Sequence, residues 1–191
     1  MLLKKFITII RNIICTIGIF VIFPFLFLAV LMVLIEDGLP VFFTQERVGK
    51  NKIVFNIIKI RTLKRNAPNT GTHQLDPKYK LISGNIIRKI KLDEFPQLIN
   101  VLKGDINLIG PRPGLPSQTE LADERSSKDV YKIKPGITGL AQVLGHDMSN
   151  PLKLAKVDKI YIENKSLKLD LMILAGTFIK YPRIYLNKLI T

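Results

Sequence analysis

Cysteine occurs once in this chain of 191 residues and histidine twice, and acidic residues are outnumbered by basic ones, 15 to 29. A single cysteine, Cys15, excludes a disulfide framework and a cysteine-rich metal site. His73 and His146 are far apart in sequence and each reads as a solvated loop residue rather than a ligand. The shortage of acid leaves a formal net charge of +14 and a pI near 9.9. Such a balance suits anionic lipid, a phosphorylated substrate or nucleic acid, and by itself does not choose among them. The interleaved stacking aromatics of a single-strand binder are missing, and the basic residues alternate with apolar helical positions suited to lipid, so no nucleic-acid partner is expected. Internal repeats and a low-complexity tail are also absent. The length suits one modest domain with a membrane segment.

Charge is missing altogether from Ile13 to Ile35, 23 residues with Pro24 near the middle. A straight helix of that length would cover about 35 Å, enough for the roughly 30 Å hydrocarbon core of a bilayer. The flanks are basic on both sides. Lys4, Lys5 and Arg11 precede the run, and Arg47, Lys50, Lys52, Lys59, Arg61, Lys64 and Arg65 follow it. Both ends therefore favour the cytoplasmic side. A mid-run proline removes a backbone donor and crowds the preceding turn. The expectation is a re-entrant helix-break-helix hairpin over residues 1–36, followed by a cytoplasmic catalytic domain over residues 37–191. An ordinary kinked spanning helix is the alternative. The run is too long for a cleaved signal peptide and no small-residue cleavage site follows it.

The rest predicts an α+β fold, mainly helical, with a small β-hairpin and amphipathic interfacial helices. Val41 to Gln45 and Ile53 to Ile60 are rich in β-branched and aromatic residues and bracket a Val48-Gly49-Lys50-Asn51 turn signal. Arg65 to Tyr79 reads as a loop. From Asn85, Ile86, Ile87 and Ile90 alternate with Arg88, Lys89 and Lys91, which fits a basic helix at a membrane surface or a core-packed helix with a solvated basic face. A second helix is expected from Asp93 or Glu94 to Lys103, burying Phe95, Leu98, Ile99 and Leu102 and ending at Gly104. Gly110 to Pro116 and Lys134 to Gly139 read as Pro/Gly loops. Lys156 to Glu163 and Leu167 to Tyr181 read as helices, the second with Lys180, Arg183 and Lys188 near its end.

Chemistry is expected at Asp93-Glu94. An aspartate is ionised at neutral pH and can attack phosphorus without a separate base. Two adjacent anions repel, and a divalent cation between one of them and a pyrophosphate would relieve this. The alternative is that Asp93 caps a helix while Glu94 favours its positive end. Gly110-Pro111-Arg112-Pro113-Gly114 adds an arginine on a stiffened backbone, which reduces the entropy lost when the guanidinium forks onto phosphate oxygens. Lys134-Pro135-Gly136-Ile137-Thr138-Gly139 offers a cation, backbone amides and a hydroxyl, or else a plain Pro-Gly turn.

Taken in order, these segments resemble the bacterial sugar transferase family, the small monotopic polyprenyl-phosphate phosphoglycosyl transferases. The resemblance runs from the proline-bearing apolar N-terminus through Phe43-Thr44-Gln45-Glu46-Arg47-Val48-Gly49, Lys59-Ile60-Arg61-Thr62 and Leu92-Asp93-Glu94-Phe95-Pro96-Gln97-Leu98. It continues through Asn100 to Asp105, Ile109-Gly110-Pro111-Arg112-Pro113, Lys134 to Gly139 and Ala141-Gln142-Val143 to Leu169-Asp170-Leu171. It implies transfer of a phosphosugar from a UDP-sugar to undecaprenyl phosphate through a covalent phosphoaspartate, at the cytoplasmic face of a bacterial inner membrane. Asp93 would be the nucleophile and Glu94 the Mg²⁺ ligand. Arg112, between Pro111 and Pro113, would contact substrate phosphate. Lys59, Arg61, Arg88 and Lys134 are weaker candidates for the basic lining, with Thr138 and Gln142 as further substrate contacts. Pro24 would bend the membrane helix, and Asp170 matches a recurring acidic position with either a structural or a site role. Membrane lipid is an expected partner, and self-association is a second way to cover exposed apolar helices. Three departures stand out: Phe23 where the family often has serine, Phe95 for the common leucine, and Leu140 where tryptophan is usual. The alternative function is a non-catalytic basic scaffold at the membrane surface that holds anionic lipid or a partner protein.

Overall fold

A computed structural model of the chain describes residues 2–68, 76–179 and 181–189. His73 and Lys180, and residues 69–75 of the expected 65–79 loop, lie outside the described residues. The fold is mainly helical with a small two-stranded sheet, as expected, and a second two-stranded sheet that was not expected. It divides into two compact units, residues 1–45 with 57–102 and residues 46–56 with 103–191. Each has its own apolar core.

In the first unit α1 (Leu2–Asp37) is the uncharged run extended at both ends. Helical geometry continues through Pro24 without interruption, where a break was expected. Only one side of α1 meets protein: Cys15, Ala29 and Val33 are buried, while Phe20, Phe23, Phe25 and Ile35 are exposed. Thr8–Asp37 is long and apolar enough to cross a membrane. Gly38 takes the left-handed conformation (φ +67°) and returns its N–H to the Leu34 carbonyl at 3.0 Å, closing the helix.

The chain then forms β1 (Phe42–Val48) and β2 (Val54–Ile60), which pair in a two-stranded sheet across a short turn with Asn51 at φ 54°. Consecutive strands joined this closely are a hairpin, since parallel pairing needs a long crossover. Helix α2 (Ile82–Lys89), a 3-10 turn at Leu92–Glu94 and α3 (Gln97–Lys103) complete the unit, whereas the hairpin tip, residues 46–56, belongs to the second unit. Ala29, Val33, Val41, Ile60, Leu81, Ile87 and Leu92 form its core, each large member stabilising the fold by about 1.5–3 kcal/mol. Helix α2 is amphipathic, with one side in the core. Ile87 is in the core, whereas Ile82, Ile86 and Ile90, four residues apart, form an exposed stripe.

The second unit holds β3 (Asn107–Ile109), α4 (Thr119–Ser127), β4 (Gly136–Thr138), α5 (Leu140–Val143), α6 (Pro151–Glu163), α7 (Leu167–Phe178) and α8 (Tyr181–Asn187). Asn150 caps α6 by accepting the Lys153 N–H at 2.9 Å ahead of Pro151, and Ser166 caps α7 through the Leu169 N–H. Leu121, Val143, Leu154, Tyr161 and Ile173 are among the residues packed at its centre. Strands β3 and β4 pair in parallel, Asn107 opposite Gly136 and Ile109 opposite Thr138. The expected Lys134–Gly139 loop is therefore partly a strand.

Candidate active site

Three elements of the first unit converge on Asp93. Lys91 adopts a left-handed conformation (φ 58°) that stops α2 and turns the chain into the Leu92–Glu94 3-10 turn. Leu92 is buried and pins that turn to the core. Asp93 thus lies inside a 3-10 turn, and α3 starts only at Gln97. The expectation of a helix beginning at Asp93 or Glu94 is corrected on this point, and the capping alternative loses its basis. Strand β2 brings Lys59, whose Nζ donates to Glu94 Oε1 at 2.8 Å. Asn100 holds the strand to α3 by accepting the Ile58 N–H at 3.1 Å, so the Lys59–Glu94 separation is built into the fold.

Helix α2 supplies Arg88, whose Nε donates to Thr62 Oγ1 at 2.6 Å. One turn earlier on the same helix, Gly84 packs on the Thr62 backbone. A Cβ there would lie 2.3 Å from the Thr62 carbonyl oxygen. Only glycine permits this approach, and the approach sets where Arg88 sits.

Burial pushes the Asp93 carboxyl above the usual aspartate range, and the neighbouring Glu94 charge adds to it. Lys59 and Arg88 pull in the opposite direction. Asp93 is thus a half-buried carboxylate whose ionised form depends on two nearby cations. Among the described residues no cluster of three or more His, Cys, Asp or Glu side chains could hold a metal ion. The Asp93-Glu94 pair fits Mg²⁺ in the mode that uses one or two carboxylates and fills the other positions with water and substrate phosphate.

Arg61 belongs elsewhere. It is buried, and its guanidinium donates to the Asp37 carboxylate, to Pro40 O at 2.6 Å and to Gly38 O at 2.6 Å. It fastens the end of α1 and is corrected from a lining residue to a structural one. Beside it, Glu36 accepts the N–H groups of Ile82 and Ser83 at 2.7 and 2.9 Å, capping α2.

The Pro-Arg-Pro segment lies in the second unit. Pro111, Pro113 and Gly114 are buried, while Arg112 between them is partly exposed. Four successive carbonyls of this loop are held, the first of them Pro111 O by the Gly136 N–H at 3.0 Å. Arg112 O accepts from Arg125 Nη1 at 2.8 Å, Pro113 O from Arg47 Nη1 at 3.3 Å, and Gly114 O from the Val48 N–H at 2.9 Å. Arg125 also forks onto Asp158 Oδ2 through Nε (2.9 Å) and Nη2 (2.7 Å), and both residues are only 2% exposed.

The Lys134–Gly139 segment is locked to this loop backbone to backbone. The Gly110 N–H donates to Thr138 O at 2.9 Å, and a Cβ on Gly136 or Gly139 would fall 2.1 or 2.2 Å from Gly110 backbone atoms. Lys134 donates to the Gly104 carbonyl just past α3. Thr138 and Gln142 are turned into the fold. The Thr138 hydroxyl bonds Thr177 Oγ1 at 2.8 Å, and Gln142 Nε2 donates to Ile137 O at 3.0 Å. Asp170 accepts the Tyr161 hydroxyl at 2.8 Å, and burial together with that bond pushes the Tyr161 phenol strongly up.

The profile of the family described as bacterial sugar transferase matches residues 2–183. The chain belongs to the bacterial sugar transferase family. Among its relatives, the Bacillus subtilis (strain 168) protein named "Uncharacterized sugar transferase EpsL" is 40% identical over 146 residues, covering 76% of this chain and 72% of that protein. An Aeromonas hydrophila UDP-N-acetylgalactosamine-undecaprenyl-phosphate N-acetylgalactosaminephosphotransferase is 35% identical over 161 residues, 81% of this chain and 38% of that protein. A Caulobacter vibrioides (strain ATCC 19089 / CIP 103742 / CB 15) UDP-glucose:undecaprenyl-phosphate glucose-1-phosphate transferase is 35% identical over 163 residues, 81% of this chain and 61% of that protein. This bacterial sugar transferase is an enzyme, a transferase.

Sequence reasoning missed Glu36, Thr62, Gly84, Arg125 and Asp158. One signal was available. Asp158 falls on the same face of α6 as Leu154 and Tyr161, and an acid among core positions demands a buried partner. Glu36 gave no such signal, because the amides it holds lie 46 residues away or more.

Proposed function

We propose that this protein transfers a phosphosugar from a UDP-sugar to undecaprenyl phosphate through Asp93. The observation that carries the reading is the half-buried Asp93 carboxylate on a fixed 3-10 turn, with Glu94 next to it and Lys59 and Arg88 supplying positive charge. In the first step Asp93 attacks the phosphorus that bears the sugar. An aspartyl–phosphorus bond forms, the pyrophosphate bridge breaks, and UMP leaves with the bond's electron pair on its oxygen. In the second, a phosphate oxygen of undecaprenyl phosphate attacks the same phosphorus and the Asp93 carboxylate is released. Such transfers depend on positioning and on neutralising charge over the phosphoryl oxygens. Lys59 and Arg88 do this from the protein side, and Glu94 would hold Mg²⁺, which when bound neutralises pyrophosphate charge. Arg112 contributes a guanidinium to a donor phosphate.

A lipid phosphate lies at the bilayer interface, so an enzyme held against one leaflet meets it without extracting it. The basic flanks of α1 and the exposed isoleucine stripe of α2 support a monotopic placement at the cytoplasmic face of the inner membrane. There, α1 would enter and return with its bend at Pro24, where a backbone hydrogen bond is lost.

The test is release of UMP from a panel of UDP-sugars by the lipid-supported protein with Mg²⁺ and undecaprenyl phosphate. Release from one or two donors, lost in Asp93→Asn, is the expected outcome. A folded protein whose release survives Asp93→Asn would overturn the covalent mechanism.

A further inference from the structure

We propose that Arg125 and Asp158 are positioning residues that fix the pose of Arg112 for a phosphate of the donor; this rests on the donor-binding role of Arg112 proposed above. The peptide between Arg112 and Pro113 has no N–H, because residue 113 is proline, so its plane can be anchored from the backbone only through the Arg112 carbonyl. Proline fixes φ at positions 111 and 113, and Arg112, preceding a proline, is confined to extended conformations. The remaining freedom is rotation of that one peptide plane. Arg125 Nη1 removes it by donating to Arg112 O at 2.8 Å.

A buried ion pair is by itself weak evidence for stability. Apolar residues of similar volume commonly replace a buried ion pair with no loss, or with a gain, in stability. Here the pair is 2% exposed at both ends, and Asp158 takes two of the guanidinium donors on a single oxygen. The third donor points out of the pair and onto the carbonyl of the only charged residue in the Pro-Arg-Pro loop. Asp158 thus orients Arg125, and Arg125 orients the Arg112–Pro113 peptide. Lysine could not do this. A single ammonium lacks the fork that reaches a carboxylate and a carbonyl in fixed directions.

The experiment is a mutant cycle on the full-length, lipid-supported protein, reading the dissociation constant for UDP in the presence of Mg²⁺ by calorimetric titration alongside the thermal midpoint. The variants are Arg112→Ala, the apolar pair replacement Arg125→Met with Asp158→Leu, and all three changes together. The pair replacement is expected to keep the thermal midpoint and to weaken UDP binding about 10-fold, as Arg112→Ala does. The triple variant should be no weaker than Arg112→Ala alone, because side chains acting through one group are not additive.

A pair replacement that folds and binds UDP as the unaltered protein does would overturn the assignment, as would one whose loss multiplies with that of Arg112→Ala. Arg125→Lys covers the case in which the pair replacement does not fold. It is expected to weaken UDP several-fold, and native affinity in that variant overturns the assignment equally. If Arg112→Ala leaves UDP binding unchanged, the role of Arg112 itself fails, a result distinct from failure of the positioning pair. No UDP binding by the unaltered protein would remove the donor reading and this assignment with it.

Discussion

Lys59 and Arg61 are two residues apart at the end of one strand, and their surroundings give them different work. Lys59 reaches Glu94 and lowers the Asp93 pKa, whereas Arg61 ties down the end of α1. Residue type and spacing did not separate them, since both are cations in one short motif. The difference lies in partners contributed by segments more than twenty residues away. If Asp93 is the nucleophile proposed above, it must be ionised to attack phosphorus, and activity is then expected to fall as pH drops through its pKa, which burial and Glu94 hold above the ordinary aspartate value. Lys59→Met removes a charge that opposes this rise. The acid limb of kcat/KM for the donor is therefore expected to move to higher pH, read from a pH profile of UMP release. A limb that stays in place or moves to lower pH would show that Lys59 does not act on Asp93.

Among the elements, those with a long or periodic signal were legible in the sequence. The β1–β2 hairpin and α7 fall close to their expected places, α1 is a helix as expected but without the expected break at Pro24, and α6 begins at Pro151, ahead of the expected Lys156. Strands β3 and β4 were not, being three residues each and too short for an alternation to register. What joins them is three glycines whose missing side chains let two backbones touch, and glycine in a loop motif reads first as a turn. Helix α2 was legible as basic and apolar, but its close seat on Thr62 was not. Gly84→Ala tests that seat. The added methyl group meets a backbone oxygen that cannot swing away, so the fold should lose about 1–3 kcal/mol. UMP release should fall on the order of 10-fold as Arg88 is displaced. Ordinary thermal stability and activity in Gly84→Ala would show that the helix can shift without consequence.

At the scale of the whole molecule, the candidate nucleophile was legible from the sequence because Asp93-Glu94 is a local feature, while the parts that hold it in place come from distant segments and were not. Topology carries its own prediction. If both ends of α1 lie on the cytoplasmic side, as proposed, single cysteines at Leu3 and at exposed Lys78, in a Cys15→Ser background, should both resist an impermeant thiol reagent added to intact cells. Labelling of only one from outside would establish a spanning helix. The link from Glu36 to the amides of Ile82 and Ser83 also bears on synthesis. Translation delivers α1 first, and at about 5–20 residues per second the amides that Glu36 will hold emerge roughly 2–9 s later. The acidic end of α1 can therefore be seated at the bilayer before Asp93 is made, so the nascent chain assembles the turn that carries Asp93 on an anchor that has already found its place.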